Sequence, residues 1–248
     1  MRRKLVAANW KMHGTRDANR ALMDALTASL PGSCDVVVFP PFPYLAELIA
    51  AYASAGIGFG GQDVSAHAEG AYTGEVAAAM LKDIGCGHVL VGHSERRQYH
   101  AEDDAQVASK FMAAQAEGLV PVLCVGETQQ QRDAGATESV IARQLGAVIA
   151  AAGAPAFAQA LIAYEPVWAI GSGRTATSSQ AQDVHAFIRS QLASADAKLS
   201  GLTRILYGGS VKAASAVDLF AQPDVDGGLV GGASLLASEF LAICAAAR

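Results

Sequence analysis

The sequence predicts an α/β chain folded as a single-domain (β/α)8 barrel over residues 1–248, and three observations predict it. Short, β-rich apolar runs recur eight times, and 248/8 gives one run per roughly 31 residues, the length of a βα unit. Segments with helical spacing lie between the runs. No linker or shift of composition interrupts the series, which favours a closed parallel barrel over its nearest competitor, a doubly wound open sheet. With 52% hydrophobic and 17% charged residues there is material for one large core, and disorder is excluded as the main state.

The predicted strands are, in order, Leu5 to Ala8, Val36 to Phe39, Ile57 to Gly61, Val89 to Val91, Val120 to Val125, Leu161 to Tyr164, Ile205 to Tyr207 and Leu229 to Val230. Most are apolar on both faces, as strands of a parallel sheet covered on both sides must be. Leu22/Leu26, Leu45/Leu48/Ile49/Tyr52, Val107/Phe111 and Val184/Ile188/Leu192 give the intervening helices one apolar face each. Gly56, Gly85, Gly118, Gly153 and Gly201 each stand between a helical segment and the next strand, the place of a C′ residue. Thr177 with Gln180 fits a capping box. The uncharged stretch from Gln144 to Tyr164 has spanning length but is broken at Gly153-Ala-Pro155, and reads as a helix, a turn and a strand. Gly56-Ile-Gly58-Phe-Gly60-Gly61 matches the letters of a dinucleotide-binding loop, yet it follows a helix and forms a strand, so it is a chance match.

Eighteen Lys plus Arg against 23 Asp plus Glu leave no electrostatic footprint for nucleic acid and no polybasic membrane patch. The partners expected are therefore small molecules. Cys34, Cys86, Cys124 and Cys244 lie far apart, without metal-ligand or disulfide-framework spacing, and read as reduced thiols of a cytoplasmic protein. The apolar stretch after Arg2, Arg3 and Lys4 is too short for a signal peptide.

In a parallel barrel whatever follows each strand lies on one rim, where barrel chemistry is found. Asn9 and Lys11 follow the first strand, His93 the fourth and Glu165 the sixth. Gly208-Gly209-Ser210 follows the seventh and Gly231-Gly232 the eighth. Glu165, between Tyr164 and Pro166-Val-Trp168, is expected to be desolvated and so raised in pKa, as a base working near neutrality requires. His93 precedes Ser94-Glu95-Arg96-Arg97, a short helix start that disfavours an imidazolium and leaves a neutral ring able to donate to a carbonyl. Lys11 would meet an anion, and the two glycine turns bring backbone N–H groups to a phosphate. Pro166 to Ala176 has the make-up of a lid, because exposed Trp168-Ala169-Ile170 is costly unless it closes over something. Each residue also has a structural reading: Asn9 as an amide serving backbone groups, Lys11 as a surface cation, the glycines as ordinary turns, the lid as a packed loop.

Taken together these residues resemble the triosephosphate isomerase family over essentially the full chain. The resemblance is carried by Ala8-Asn-Trp-Lys-Met12, Gly61-Gln-Asp63, Gly70-Ala-Tyr-Thr-Gly-Glu75, Gly92-His-Ser-Glu-Arg-Arg97, Cys124-Val-Gly-Glu127, Ala163-Tyr-Glu-Pro-Val-Trp-Ala-Ile-Gly171, Tyr207-Gly-Gly-Ser-Val211 and Leu229-Val-Gly-Gly-Ala233. It implies a TIM barrel that isomerises triose phosphates in glycolysis and gluconeogenesis, with no cofactor and no metal. In that family's picture Glu165 is the base, neutral His93 the electrophile, and Lys11 and Asn9 stabilise the enediolate, while Glu95 holds Lys11. The phosphate would lie on Gly171, Ser210, Gly231 and Gly232.

The resemblance also implies a homodimer through the loop Gly70 to Glu75, with Thr73 reaching beside Lys11 and Met12 of the partner, and Gln62 and Arg96 in the same contact region. The departures are His13 and Asp63 for the usual asparagines, Ser172 and Arg174 in the lid for threonine and lysine, and Ser178-Ser179 for proline and glutamate. Two rivals remain at this stage: an aldolase-like barrel using Lys11 as a Schiff base, and a catalytically silent barrel serving as a scaffold.

Overall fold

A computed structural model describes residues 2–171 and 174–248. Eight parallel strands close in sequence order: β1 (Leu5–Asn9), β2 (Asp35–Phe39), β3 (Gly58–Gly61), β4 (His88–Val91), β5 (Val120–Val125), β6 (Leu161–Tyr164), β7 (Arg204–Tyr207) and β8 (Gly227–Val230). The ring is sealed where β1 meets β8, with Leu5 opposite Gly227 and Ala8 opposite Val230. The expected strands differ from these only at their ends. The least apolar of them, β3, is held by β2 on one side and by β4 on the other.

Alternation along the strands divides the core in two. Leu5, Ala7, Val37, Phe39, Leu90, Val122, Cys124, Leu161, Ala163, Leu206 and Leu229 fill the barrel interior. Their neighbours, among them Val6, Ala8, Val36, Val38, Ile162 and Tyr164, face outward and pack under the helices. The longer helices cover that outer layer with their apolar stripes, as Val107 and Phe111 do from Asp104–Ala116 and Val184, Ile188 and Leu192 from Ser178–Ala195. The predicted capping box is present: Thr177 accepts from the Gln180 N–H while Gln180 Oε1 accepts from the Thr177 N–H. Four of the five expected C′ glycines have positive φ, at Gly56, Gly85, Gly118 and Gly153. Gly201 does not, because Leu199–Leu202 turns once more into a short helix and absorbs it. No helix among the described residues is long and apolar enough to cross a membrane.

Candidate active site

The two-residue period that builds the core also delivers the site. Leu5 and Ala7 point into the barrel, so Asn9 continues the inward series at the mouth; Leu161 and Ala163 do the same for Glu165. By the same count Leu206 is followed by Gly208 and Leu229 by Gly231. His93 arrives by another route. After inward Leu90 the chain turns at Gly92, φ +69°, and His93 becomes the N-cap of the helix Ser94–Tyr99, its Nδ1 accepting the Glu95 N–H at 3.2 Å. That bond puts the proton of a neutral ring on Nε2, the tautomer that can donate toward the mouth.

These residues meet in one cavity of about 400 Å³, lined by Asn9, Lys11, His93 and Glu165 on one side and by Gly171, Ser210, Gly231 and Gly232 on the other. His93 Nε2 lies 2.8 Å from Glu165 Oε1, and the Ser94 N–H donates to Glu165 Oε2 at 2.8 Å. Lys11 Nζ is 2.5 Å from Glu95 Oε1. Asn9 Oδ1 accepts the Lys11 N–H at 3.0 Å, and Gln62 donates to the Lys11 carbonyl at 2.8 Å. These two bonds hold Lys11 at φ +51°, a left-handed conformation unusual for a non-glycine residue. A larger cavity of about 610 Å³ lies behind Glu165, against Arg97, Cys124 and Gln144, but it includes neither Lys11, His93 nor the glycine turns.

Two glycines crowd Glu165 from behind. A Cβ on Gly126 would stand 1.8 Å from the Glu165 carbonyl oxygen, and one on Gly208 2.9 Å from Glu165 Cγ. Only bare backbone fits at these two places, at Gly126 against the backbone of Glu165 and at Gly208 against its side chain.

The electrostatics differ from the expectation at Glu165. Burial does push its carboxyl up, but the His93 ring, the Ser94 N–H and the Lys11 ammonium together outweigh burial and hold it below the ordinary carboxylate value. In His93 burial is the largest single effect and works against the charged ring, but the charge and hydrogen bond of Glu165, together with the charge of Glu95, outweigh it, so the pKa stands above the ordinary value while Glu165 rests on the ring. Glu165 and His93 satisfy one another in this arrangement.

The loop after β6 is packed rather than splayed. Ala169 is fully buried, and Trp168 Nε1 donates at 2.9 Å to Glu127 Oε1, a buried carboxylate that also accepts from Tyr164 Oη at 3.1 Å. Arg132 lies over the Trp168 ring, 4.4 Å from its centroid. Arg174 donates to Gln129 at 3.0 Å. Ser172 lies outside the described residues; Ser178 and Ser179 open the helix Ser178–Ala195.

Asp63 is neutralised where it stands: Lys110 Nζ is 2.9 Å from it and Arg96 Nε 2.9 Å. Beyond it, Met12 and Tyr72 are 92% and 44% exposed, with Tyr72 stacked on His67 at 3.7 Å. Sequence reasoning passed over two groups here. Glu127, anchor of the loop, appeared only inside a motif, and Lys212, next but one to Ser210, lines the cavity as an exposed cation without an ion pair among the described residues. Its signal was available, since a lysine two residues past the strand-seven glycine turn stands close to that turn.

A carboxylate facing an imidazole, with a lysine and three glycine-bearing turns lining the same small cavity at a barrel mouth, fits one class, a barrel isomerase. Comparison with known proteins gives the particular family. The family model described as triosephosphate isomerase matches residues 4–247. The chain is 61% identical over 248 residues to a triosephosphate isomerase of Stenotrophomonas maltophilia (strain K279a), covering 100% of this chain and 99% of that one. It is 60% identical over 247 residues to the one of Thiobacillus denitrificans and 57% over 248 residues to the one of Xanthomonas campestris pv. campestris (strain 8004), with the same coverage in both. The chain belongs to the triosephosphate isomerase family.

Proposed function

We infer that the chain interconverts dihydroxyacetone phosphate and D-glyceraldehyde 3-phosphate through an enediolate, without cofactor or metal. The observation that carries this is the meeting of Glu165 and His93 at 2.8 Å in a cavity that also holds Lys11 and the glycine turns. Glu165 removes the carbon-bound proton beside the carbonyl and returns one to the neighbouring carbon. His93 donates from Nε2 to the carbonyl oxygen and passes protons between the two oxygens. Lys11 and Asn9 meet the negative charge that develops there, with Glu95 holding the ammonium in place.

The substrate carbonyl must take the Nε2 proton that Glu165 accepts in the free enzyme. This exchange frees the carboxylate of the partner that lowers its pKa and makes it a stronger base. It also removes from His93 the charge that favours an imidazolium, leaving burial and the Glu95 N–H to keep the ring neutral. Backbone N–H groups of Gly171, Ser210, Gly231 and Gly232 take the phosphate, so binding energy from the remote end is used at the reacting carbon. Trp168 leaving Glu127 lets the loop close and exclude water, protecting an intermediate that would otherwise expel phosphate.

The working unit is a homodimer joined through Gly70 to Glu75, in the cytoplasm, serving glycolysis and gluconeogenesis. Exposed Met12 and Tyr72 beside the mouth support an apolar interface, and the charge at Asp63 is internally paired. The test of the chemistry is tritium loss from labelled dihydroxyacetone phosphate. Exchange is expected with the native chain and lost with Glu165→Gln; equal exchange from both would overturn the assignment. Borohydride with substrate is expected to leave Lys11 unmodified, which separates this reading from a Schiff-base aldolase.

Lys212 adds a positive charge at the phosphate end. Lys212→Ala is expected to raise KM by roughly three- to ten-fold with little change in kcat, an effect that shrinks as salt is added. Steady-state kinetics at two ionic strengths checks both parts.

A further inference from the structure

The bottom of the barrel holds a pair of thiols that the isomerase reaction does not use. Cys34 stands immediately before β2, at the end of the barrel opposite the mouth, and Cys244 lies in the last turn of the C-terminal helix Ala237–Ala246. They are 210 residues apart in sequence, which is why spacing alone gave no pair. In the fold Cys34 Sγ donates to the Cys244 carbonyl at 3.6 Å, and Ser33 Oγ donates to the same oxygen at 3.4 Å. Two separate chain segments are thus fastened with the Cys34 sulfur against the backbone of the residue that carries the second thiol.

We infer that Cys34 and Cys244 form an oxidisable dithiol, which peroxide closes to an intramolecular disulfide tying the C-terminal helix to the base of the barrel. Access and reactivity divide the roles. Cys34 lines a cavity of about 530 Å³ together with Arg3, His88 and Arg204, whereas Cys244 is fully buried and does not line it. The hydrogen bond from Cys244 favours the Cys34 thiolate, and Arg3 adds to this, against the opposing effect of burial; Cys244 is pushed the other way. Cys34 is therefore the attacking sulfur and Cys244 the resolving one.

Hydrogen peroxide is the oxidant. Cys34 sulfur attacks one peroxide oxygen, the O–O bond breaks, and the departing hydroxide leaves as water with the thiol proton, giving a sulfenic acid. Cys244 sulfur then attacks the Cys34 sulfur, the S–O bond breaks, and the hydroxyl leaves as a second water with the Cys244 proton. Peroxide is reduced by two electrons and the two thiols are oxidised by two. The other two cysteines have no such route. Burial pushes Cys86 to about 12, and Cys124 is raised by burial and by the charge on Glu165.

The expected consequence is for stability and not for turnover, because the link joins elements at the end away from the chemistry. Closing a loop between such distant residues restricts the unfolded chain and is expected to raise the thermal midpoint by roughly 5–10 °C. The experiment treats the folded, reduced full-length protein with a few equivalents of hydrogen peroxide. Free thiols are then alkylated under denaturing conditions and the peptides mapped without reductant. The expected result is one peptide joining Cys34 to Cys244, reversed by dithiothreitol, with Cys86 and Cys124 alkylated, kcat/KM unchanged and the midpoint raised. Cys34→Ser is expected to leave Cys244 alkylated and to abolish the midpoint shift.

Alkylation of both Cys34 and Cys244 after treatment overturns the proposal, as does Cys34 found as sulfinic acid with Cys244 free. A link that forms only between two chains, or that leaves the midpoint where it was, overturns it too. Because the mapping uses the native chain, the result does not depend on either variant folding.

Discussion

Glu165→Asp is expected to lower kcat by roughly 10²- to 10³-fold while KM stays within about threefold, since the shorter side chain moves the carboxylate back by one methylene from a C–H bond it must reach directly. The surroundings cannot restore the reach. The backbone of residue 165 is fixed by the N–H donated to the Val125 carbonyl at 2.7 Å, with Gly126 close against that backbone and Gly208 against the side chain. The shorter acid also cannot keep the paired contacts to His93 Nε2 and the Ser94 N–H, each now 2.8 Å. In the proposed mechanism substrate binding rests, by contrast, on the glycine turns that line the same cavity, so KM is the parameter that should barely move. Steady-state kinetics in both directions measures the split, and a variant as fast as the native chain would remove Glu165 from the role of base.

Lys11→Met is expected to lower kcat/KM by at least about 10²- to 10³-fold, the span found when one preorganised donor to a developing oxyanion is removed. Methionine keeps the length and apolar stem of lysine and loses the charge. Two things change together: the emerging negative oxygens lose their ammonium, and Glu95, now 2.5 Å from Lys11 Nζ, becomes an unpaired carboxylate at the edge of the site. The loss should therefore exceed that for Lys212→Ala, whose charge stands where the phosphate is proposed to bind and has no carboxylate paired with it among the described residues. The double variant Lys11→Met with Glu95→Gln separates the two effects. Partial recovery relative to Lys11→Met alone would assign the recovered share to the stranded carboxylate.

The strands were legible because a parallel barrel demands continuous apolar runs at a regular interval, and the sequence supplies them from Leu5 to Val230. The rim was legible for a related reason: once strand direction is common to all eight, the residue after each run has a known end of the barrel. What sequence could not carry was the state of each group. Glu165 looked desolvated and raised, and it is desolvated. Its pKa is nevertheless lowered, because His93, Ser94 and Lys11 come from other strands and their distances are tertiary facts. Trp168 looked exposed for want of a visible partner; that partner, Glu127, comes from the segment after β5, 41 residues away. Gly201 looked like a helix stop because a one-turn helix leaves almost no periodic signature. The thiol pair at Cys34 and Cys244 was hidden in the same way, by chain separation.

The alternation that fills the barrel with Leu161 and Ala163 and then presents Glu165 has a bearing on which changes of length the chain can absorb. One residue inserted within β6 would rotate everything after it by half a period, sending the carboxylate beneath the helices and turning Tyr164 toward the lumen. The turns at the opposite end, which carry no member of the site, are free of that constraint. Insertions, deletions and grafts should therefore be tolerated before a strand begins and rejected between its start and the mouth.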